Sequence, residues 1–295
     1  MPKTKVLILG ASGMLGAAVF RSFLASADFE AVGTIRDKVA LGFFSSVASA
    51  RLLHLDVLDE DALVSLLDRE RPAAVINCIG LVKQLASAAD PLVTLPINAI
   101  FPHRLARICS LIGARLIHIS TDCVFSGWKG NYTEGDVTDA QDLYGRSKLL
   151  GELVDYDHAV TLRTSIIGRE LYSAHSLVEW FLSQQDAVKG YAKAIFSGLP
   201  TAELAAVIRD VVLPNKDLAG LYHVSAAPIC KFDLLHLLAR QYGKRIEILK
   251  DDQTKIDRSL NSEKFQRETG YRAADWPELI RRLYEADLRR EMNNV

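Results

Sequence analysis

Lys5-Val6-Leu7-Ile8-Leu9-Gly10-Ala11-Ser12-Gly13-Met14-Leu15-Gly16 carries an unbroken apolar run into glycines three residues apart. A helical pattern follows through Ala17, Phe20 and Leu24. Glycines at a strand-to-helix turn let the backbone bend sharply and approach a pyrophosphate, whose charge meets the free N–H groups and dipole of the helix start. The turn marks Gly10, Ser12, Gly13, Met14, Leu15 and Gly16 as a dinucleotide cradle, although G-x-x-G-x-x-G differs from the usual G-x-G-x-x-G fingerprint. The same segment imitates a secretory signal, with Lys3 and Lys5, the run from Val6 to Phe20, and Ala25-Ser26-Ala27 as a cleavage site. The regular glycines and Arg21 argue against that reading.

Working outward, Phe29 to Ile35 reads as a second strand ending at Arg36-Asp37. A carboxylate there would hold a ribose 2′-hydroxyl and an arginine a 2′-phosphate, so Arg36 favours NADP(H) over NAD(H); a solvated loop arginine is the competing reading. Leu52 to Leu55 forms a third strand leading to Asp56-Val57, where Asp56 either meets an adenine amino group or caps the helix from Asp59 to Arg69. Ala73 to Gly80 is apolar without alternation, as expected of a strand buried on both faces, and it brings Cys78, Ile79 and Gly80 to the centre of the sheet. Lys83 faces a substrate or lies on a helix surface. Asn98 begins a long helix through Arg107 and Leu111.

That helix returns the chain to Ile117-His118-Ile119-Ser120-Thr121-Asp122, a buried strand that delivers hydroxyls to a sheet edge. Some twenty residues later, Tyr144 and Lys148 are four apart, one turn above the other on a helix face. An ammonium beside a phenol lowers the phenol pKa from about 10, which makes Tyr144 a candidate general acid. A sixth strand, Val160 to Ser165, completes strands alternating with helices from residue 5 to 167, the pattern of a doubly wound parallel Rossmann sheet with right-handed crossovers. Residues 169 to 200 mix aromatics, histidine and glycine as a substrate lid would. Thr201 to Leu213 is an amphipathic helix leading to the strand Gly220 to Ser225, and two or three helices then surround a short strand, Arg245 to Leu249. The expected division is a cofactor-binding unit, 1–168 plus 201–227, and a smaller α/β substrate-binding unit, 169–200 and 228–295.

Composition excludes several classes. The 295 residues carry a net charge of −1 with 49% hydrophobic and 24% charged residues, a balance that suggests neither nucleic acid nor an anionic membrane as partner. The four cysteines are scattered without a C-x-x-C pair, so no zinc site or disulfide framework is indicated, and a reducing cytoplasm fits. No apolar run beyond the first is long enough for a bilayer, and no metal-ligand cluster stands out.

Together these residues resemble an extended short-chain dehydrogenase/reductase, similar to the dTDP-4-dehydrorhamnose reductase group of nucleotide-sugar enzymes. The resemblance rests on Gly10 to Gly16, Ser120-Thr121-Asp122-Cys123-Val124-Phe125-Ser126-Gly127, Tyr132-Thr133-Glu134, Tyr144 to Glu152, Arg163-Thr164-Ser165, Gly198 to Thr201, and Arg258 to Ser262. It implies that Thr121, Tyr144 and Lys148 are catalytic. Nicotinamide would deliver hydride to a C4 keto group, Tyr144 the proton, Thr121 a hydrogen bond to the carbonyl oxygen, and Lys148 a hold on the nicotinamide ribose. It further implies Asn98 and Ser120 beside the cofactor, Lys83, Thr121, Asp122 and Arg258 beside a nucleotide-linked 6-deoxy sugar, and a homodimer.

Two departures bear on the sugar. Asp122-Cys123-Val124-Phe125-Ser126-Gly127 stands where the group shows Asp-Tyr-Val-Phe-Asp-Gly, and Ile166-Ile167-Gly168-Arg169 replaces an aromatic-rich segment. Rhamnose chemistry and a 2-acetamido sugar on UDP are then equally open. Cys123 has no matching histidine and reads as a packing residue. Two other roles share the fold: a dinucleotide-binding regulatory subunit, as in methionine adenosyltransferase, and a nucleotide-sugar epimerase.

Overall fold

The computed structural model describes residues 3–81, 89–171 and 176–293. The chain runs β1 (Thr4–Leu9), α1 (Met14–Leu24), β2 (Phe29–Ile35), α2 (Ser46–Ser49), β3 (Leu52–His54), α3 (Glu60–Glu70) and β4 (Ala74–Asn77). It continues through α4 (Pro91–Leu95), α5 (Phe101–Ile112), β5 (Arg115–Thr121), α6 (Leu143–Leu150), β6 (Ala159–Thr164), β7 (Ile166–Ile167) and α7 (Leu177–Ser183). The last third holds β8 (Val188–Phe196), β9 (Leu199–Pro200), α8 (Thr201–Val207), β10 (Gly220–His223), β11 (Ile229–Cys230), α9 (Lys231–Gln241), β12 (Ile248–Asp257), α10 (Glu263–Thr269) and α11 (Trp276–Asn293).

The central sheet is parallel throughout, in the order β10-β6-β5-β4-β1-β2-β3. Alternation of side chains sorts its apolar residues onto two covered faces. Val6 and Ile8 join Phe20 and Phe23 of α1 and Leu204 of α8 on one face. Leu7 and Leu9 join Leu67 of α3 and Leu105 of α5 on the other. Phe20 and Phe23 are fully buried, which contributes roughly 1.5–3 kcal/mol each. Strand order reverses at the β1/β4 junction, and in such sheets ligands bind outside the strand ends at that point.

Three expectations are corrected. The segment expected to be a loose lid contains α7 and the nine-residue β8. The expected strand at Arg245 to Leu249 begins only at Ile248 and continues to Asp257, parallel to β8. Its polar sequence hides it, because it is a sheet edge whose side chains are mostly exposed. Asn98 does not start a helix: it sits in one wide π turn, Pro96–Ile100, between α4 and α5. Among the described residues, no helix is long and apolar enough to cross a membrane.

Candidate active site

The glycine turn follows β1 at the switch point. Gly10 adopts φ +80°, and a Cβ on Gly16 would lie 2.0 Å from the Gly10 carbonyl, so backbone approaches backbone where only glycine fits. Thr34 fixes the turn from β2, accepting from Ala11 N at 2.8 Å through its carbonyl and from Gly10 N at 3.2 Å through its hydroxyl. Gly13 caps α1 without a side chain, leaving the first N–H groups of an eleven-residue helix open to an anion. Ser12 and Met14 are half-buried beside it, and Leu15 is buried. The turn thus fits a dinucleotide pyrophosphate.

Past β2, Arg36 is exposed, while the Asp37 carboxylate accepts from Val39 N at 2.9 Å and caps the turn at Lys38–Phe43. Asp56 is not the cap of α3. Asp59 holds that place through Ala62 N at 3.0 Å, and Asp56 accepts from Leu58 N at 3.0 Å beside buried Val57. At the end of β4, Cys78 N donates to Leu9 O at 3.1 Å and Ile79 N to the Asn77 side chain at 3.1 Å. Burial pushes the Cys78 thiol up to about 12, so it is no nucleophile. Gly80 lies against Asn98 and Lys148. The Asn98 amide accepts from Leu81 N at 2.9 Å and donates to Leu81 O at 3.2 Å and Ser147 Oγ at 3.1 Å. Asn98 therefore braces the chain after β4 against α6. Lys83 lies outside the described residues.

β5 ends at Thr121, whose hydroxyl donates to Asp122 at 3.2 Å and accepts from Cys123 N at 3.1 Å. The α6 helix carries Tyr144 and Lys148, is capped by Asp142 at 2.8 Å from Gly145 N, and packs so tightly that a Cβ on Gly145 would overlap Cys123 O. Lys148 is buried and donates to Ile119 O at 2.7 Å. Burial pushes its ammonium down to about 8, opposed by Glu152 and Cys78. The expected lowering of the Tyr144 pKa is corrected. Burial raises it, the nearby Cys123 adds to the shift, and the Thr121 hydroxyl opposes it. Lys148 turns its charge toward a backbone carbonyl, so desolvation of the phenolate dominates. The consequence is a phenol that keeps its proton at neutral pH.

Ser120 is committed inward, donating to Glu152 at 2.7 Å. Arg163 of β6 grips the same carboxylate at 2.7 and 2.6 Å, a buried bidentate pair beneath α6. Asp122 is buried, its carboxyl raised by burial and opposed by Arg258. Arg258 follows β12, and its Nε donates to Phe125 O at 2.8 Å, which brings the far end of the chain to the loop after β5. Sequence reasoning missed Lys231, whose pKa burial lowers and whose charge faces Asp122, Arg258 and Cys123. It also missed Trp128 and Lys255, which line a cavity with Arg258. No spacing links these residues to Thr121.

Residues 4–288 match the family described as the RmlD substrate binding domain. The chain is 30% identical over 170 residues to methionine adenosyltransferase 2 subunit beta of Xenopus laevis, covering 57% of this chain and 48% of that protein. It is 27% identical over 246 residues to the dTDP-4-keto-6-deoxy-D-glucose reductase of Streptomyces niveus, covering 80% and 78%. A structure of a hypothetical dTDP-4-dehydrorhamnose reductase from Sulfolobus tokodaii superposes with a TM-score of 0.75 at 26% identity, over 92% of this chain and 98% of that one. The matches to the methionine adenosyltransferase subunits span about half the length of those relatives. With nearly its whole length matched, the chain belongs to the RmlD substrate binding domain family.

Proposed function

We propose that this protein reduces the 4-keto group of a nucleotide-linked 6-deoxy sugar, with NADP(H) favoured over NAD(H), in cytoplasmic deoxysugar or surface-polysaccharide synthesis. The observation that carries the reading is the meeting of Thr121, Tyr144 and Lys148 at the carboxyl edge of β5, beside Gly80 and the glycine turn. When bound, the reduced nicotinamide supplies a hydride. Tyr144, kept protonated by burial, gives its proton to the carbonyl oxygen, and Thr121 hydrogen-bonds that oxygen. Lys148 holds the ribose hydroxyls with its ammonium. The N–H groups at the start of α1 and exposed Arg36 take the phosphates, the latter favouring a 2′-phosphate. Asp122 faces the sugar, and Arg258 lines the substrate cleft beside it. In this reading residues 1–168 plus 201–227 hold the cofactor, 169–200 and 228–295 the substrate, and the working form is a homodimer.

The similarity to a methionine adenosyltransferase subunit favours a second reading, a dinucleotide-binding regulatory partner. One experiment separates the two. Purified protein is given NADPH or NADH with 4-keto-6-deoxy sugars on dTDP and UDP, and loss of the reduced-nicotinamide absorbance is followed. Turnover is expected, with Tyr144→Phe slowing it roughly 100- to 10,000-fold while still binding NADPH. Cofactor binding with no turnover on any sugar would transfer the assignment to the regulatory role.

A further inference from the structure

Between the loop after β5 and the end of β12 lies a cavity of about 270 Å³. Cys123 and Asp142 form the wall nearest the proposed catalytic group, the first bonded to Thr121 and the second capping the helix of Tyr144. Arg258 and exposed Lys255 bring two positive charges to it. On its rim Trp128 is 85% exposed.

A bare indole on a slack loop would mean little, but this loop is pinned. Ser126 is held by Asp139 through its N–H at 2.7 Å and its hydroxyl at 2.6 Å. Gly127 N and Lys129 N both donate to the Tyr132 hydroxyl, at 3.2 and 3.0 Å, and Asp257 N donates to Gly127 O at 2.7 Å. Tyr132 in turn stacks on Phe125, with ring centroids 4.1 Å apart. Gly127 has φ +92°, and a Cβ there would overlap Ile256. The backbone on both sides of Trp128 is therefore ordered while its ring stays in water, so stacking a ligand there costs little further ordering.

We propose that this cavity takes the nucleoside diphosphate end of the substrate, the base stacking on Trp128 and the diphosphate meeting Arg258 and Lys255. This rests on the nucleotide-sugar reading and adds where, and on which residues, the carrier is held. Aromatic stacking suits any base, and guanidinium and ammonium groups suit a diphosphate. The sugar is then directed toward Thr121 and Tyr144.

The test is calorimetry and tryptophan fluorescence on protein saturated with NADP+, titrated with UDP, dTDP, GDP and inorganic pyrophosphate. At least one nucleoside diphosphate is expected to bind and quench fluorescence. Trp128→Ala should weaken that binding roughly 5- to 150-fold and leave pyrophosphate and NADP+ affinities unchanged, while Trp128→Phe retains most of it. Lys255→Gln should weaken pyrophosphate and nucleotide alike. Equal nucleotide affinity in wild type and Trp128→Ala overturns the inference, as does binding of pyrophosphate alone. If wild type still turns over a nucleotide-linked keto sugar in either case, the reductase reading stands without this subsite. If no nucleoside diphosphate binds and no such sugar is turned over, both fall together.

Discussion

At the scale of single residues, the site depends on where charge is left in a desolvated place. Lys148 is charged below about pH 8 and neutral above it. NADPH affinity should therefore be flat below about pH 7 and weaken as the pH rises through about 8, and Lys148→Met should abolish that dependence along with most of the affinity. Fluorescence titration across that range measures it. The same depression means that the unfolded chain binds the proton more tightly, so this group's contribution to stability rises with pH between about 8 and 10.5. Tyr144 and Lys148 were legible because four-residue spacing on a helix is a local property. The direction of the tyrosine shift was not, because it depends on how much water the fold removes from around the phenol.

At the scale of elements, α6 is seated by the buried Glu152–Arg163 pair as much as by apolar packing. Removing one member leaves a charge with no solvent and half its partners. Arg163→Met should lower unfolding free energy by roughly 3–5 kcal/mol in a denaturant titration, with the double change Glu152→Gln plus Arg163→Met recovering part of the loss. Glu152 and Arg163 belong to two separate sequence motifs, and they meet only because the chain just after α6 packs against β6. The extent of β12 is hidden for the opposite reason: Lys250-Asp251-Asp252-Gln253 has no apolar alternation, since the side chains of this edge strand are mostly exposed. The π turn at Asn98 likewise has no periodic signature, yet it aims the Asn98 amide at Leu81 and Ser147.

Across the whole molecule, the last helix is tied back to the body by polar as well as apolar contacts. Leu279, Ile280 and Leu283 of α11 enter the same apolar cluster as Val6 and Phe20. Asp287 accepts from the Tyr242 hydroxyl at the end of α9, and burial pushes its carboxyl up to about 6. The folded state then holds a proton that the unfolded chain, at 3.8, has lost, so this group's contribution to stability declines as pH rises from about 4 to 6. Asp287→Asn should flatten that decline, worth up to roughly 3 kcal/mol, in denaturant titrations between pH 4 and 7. What the sequence by itself determined was what is written in short-range periodicity: the strand, glycine turn and helix at the start, the alternation of strands and helices that makes a doubly wound parallel sheet, and the one-turn spacing of Tyr144 and Lys148. What only the tertiary structure decided was the strand order of the sheet and which distant residues come together beside Asp122 and Cys123. Lys255 and Trp128 meet Arg258 there through the pairing of β8 with β12 and the fastening of Tyr132 to the chain beyond β12, and such long-range packing leaves no mark in local spacing.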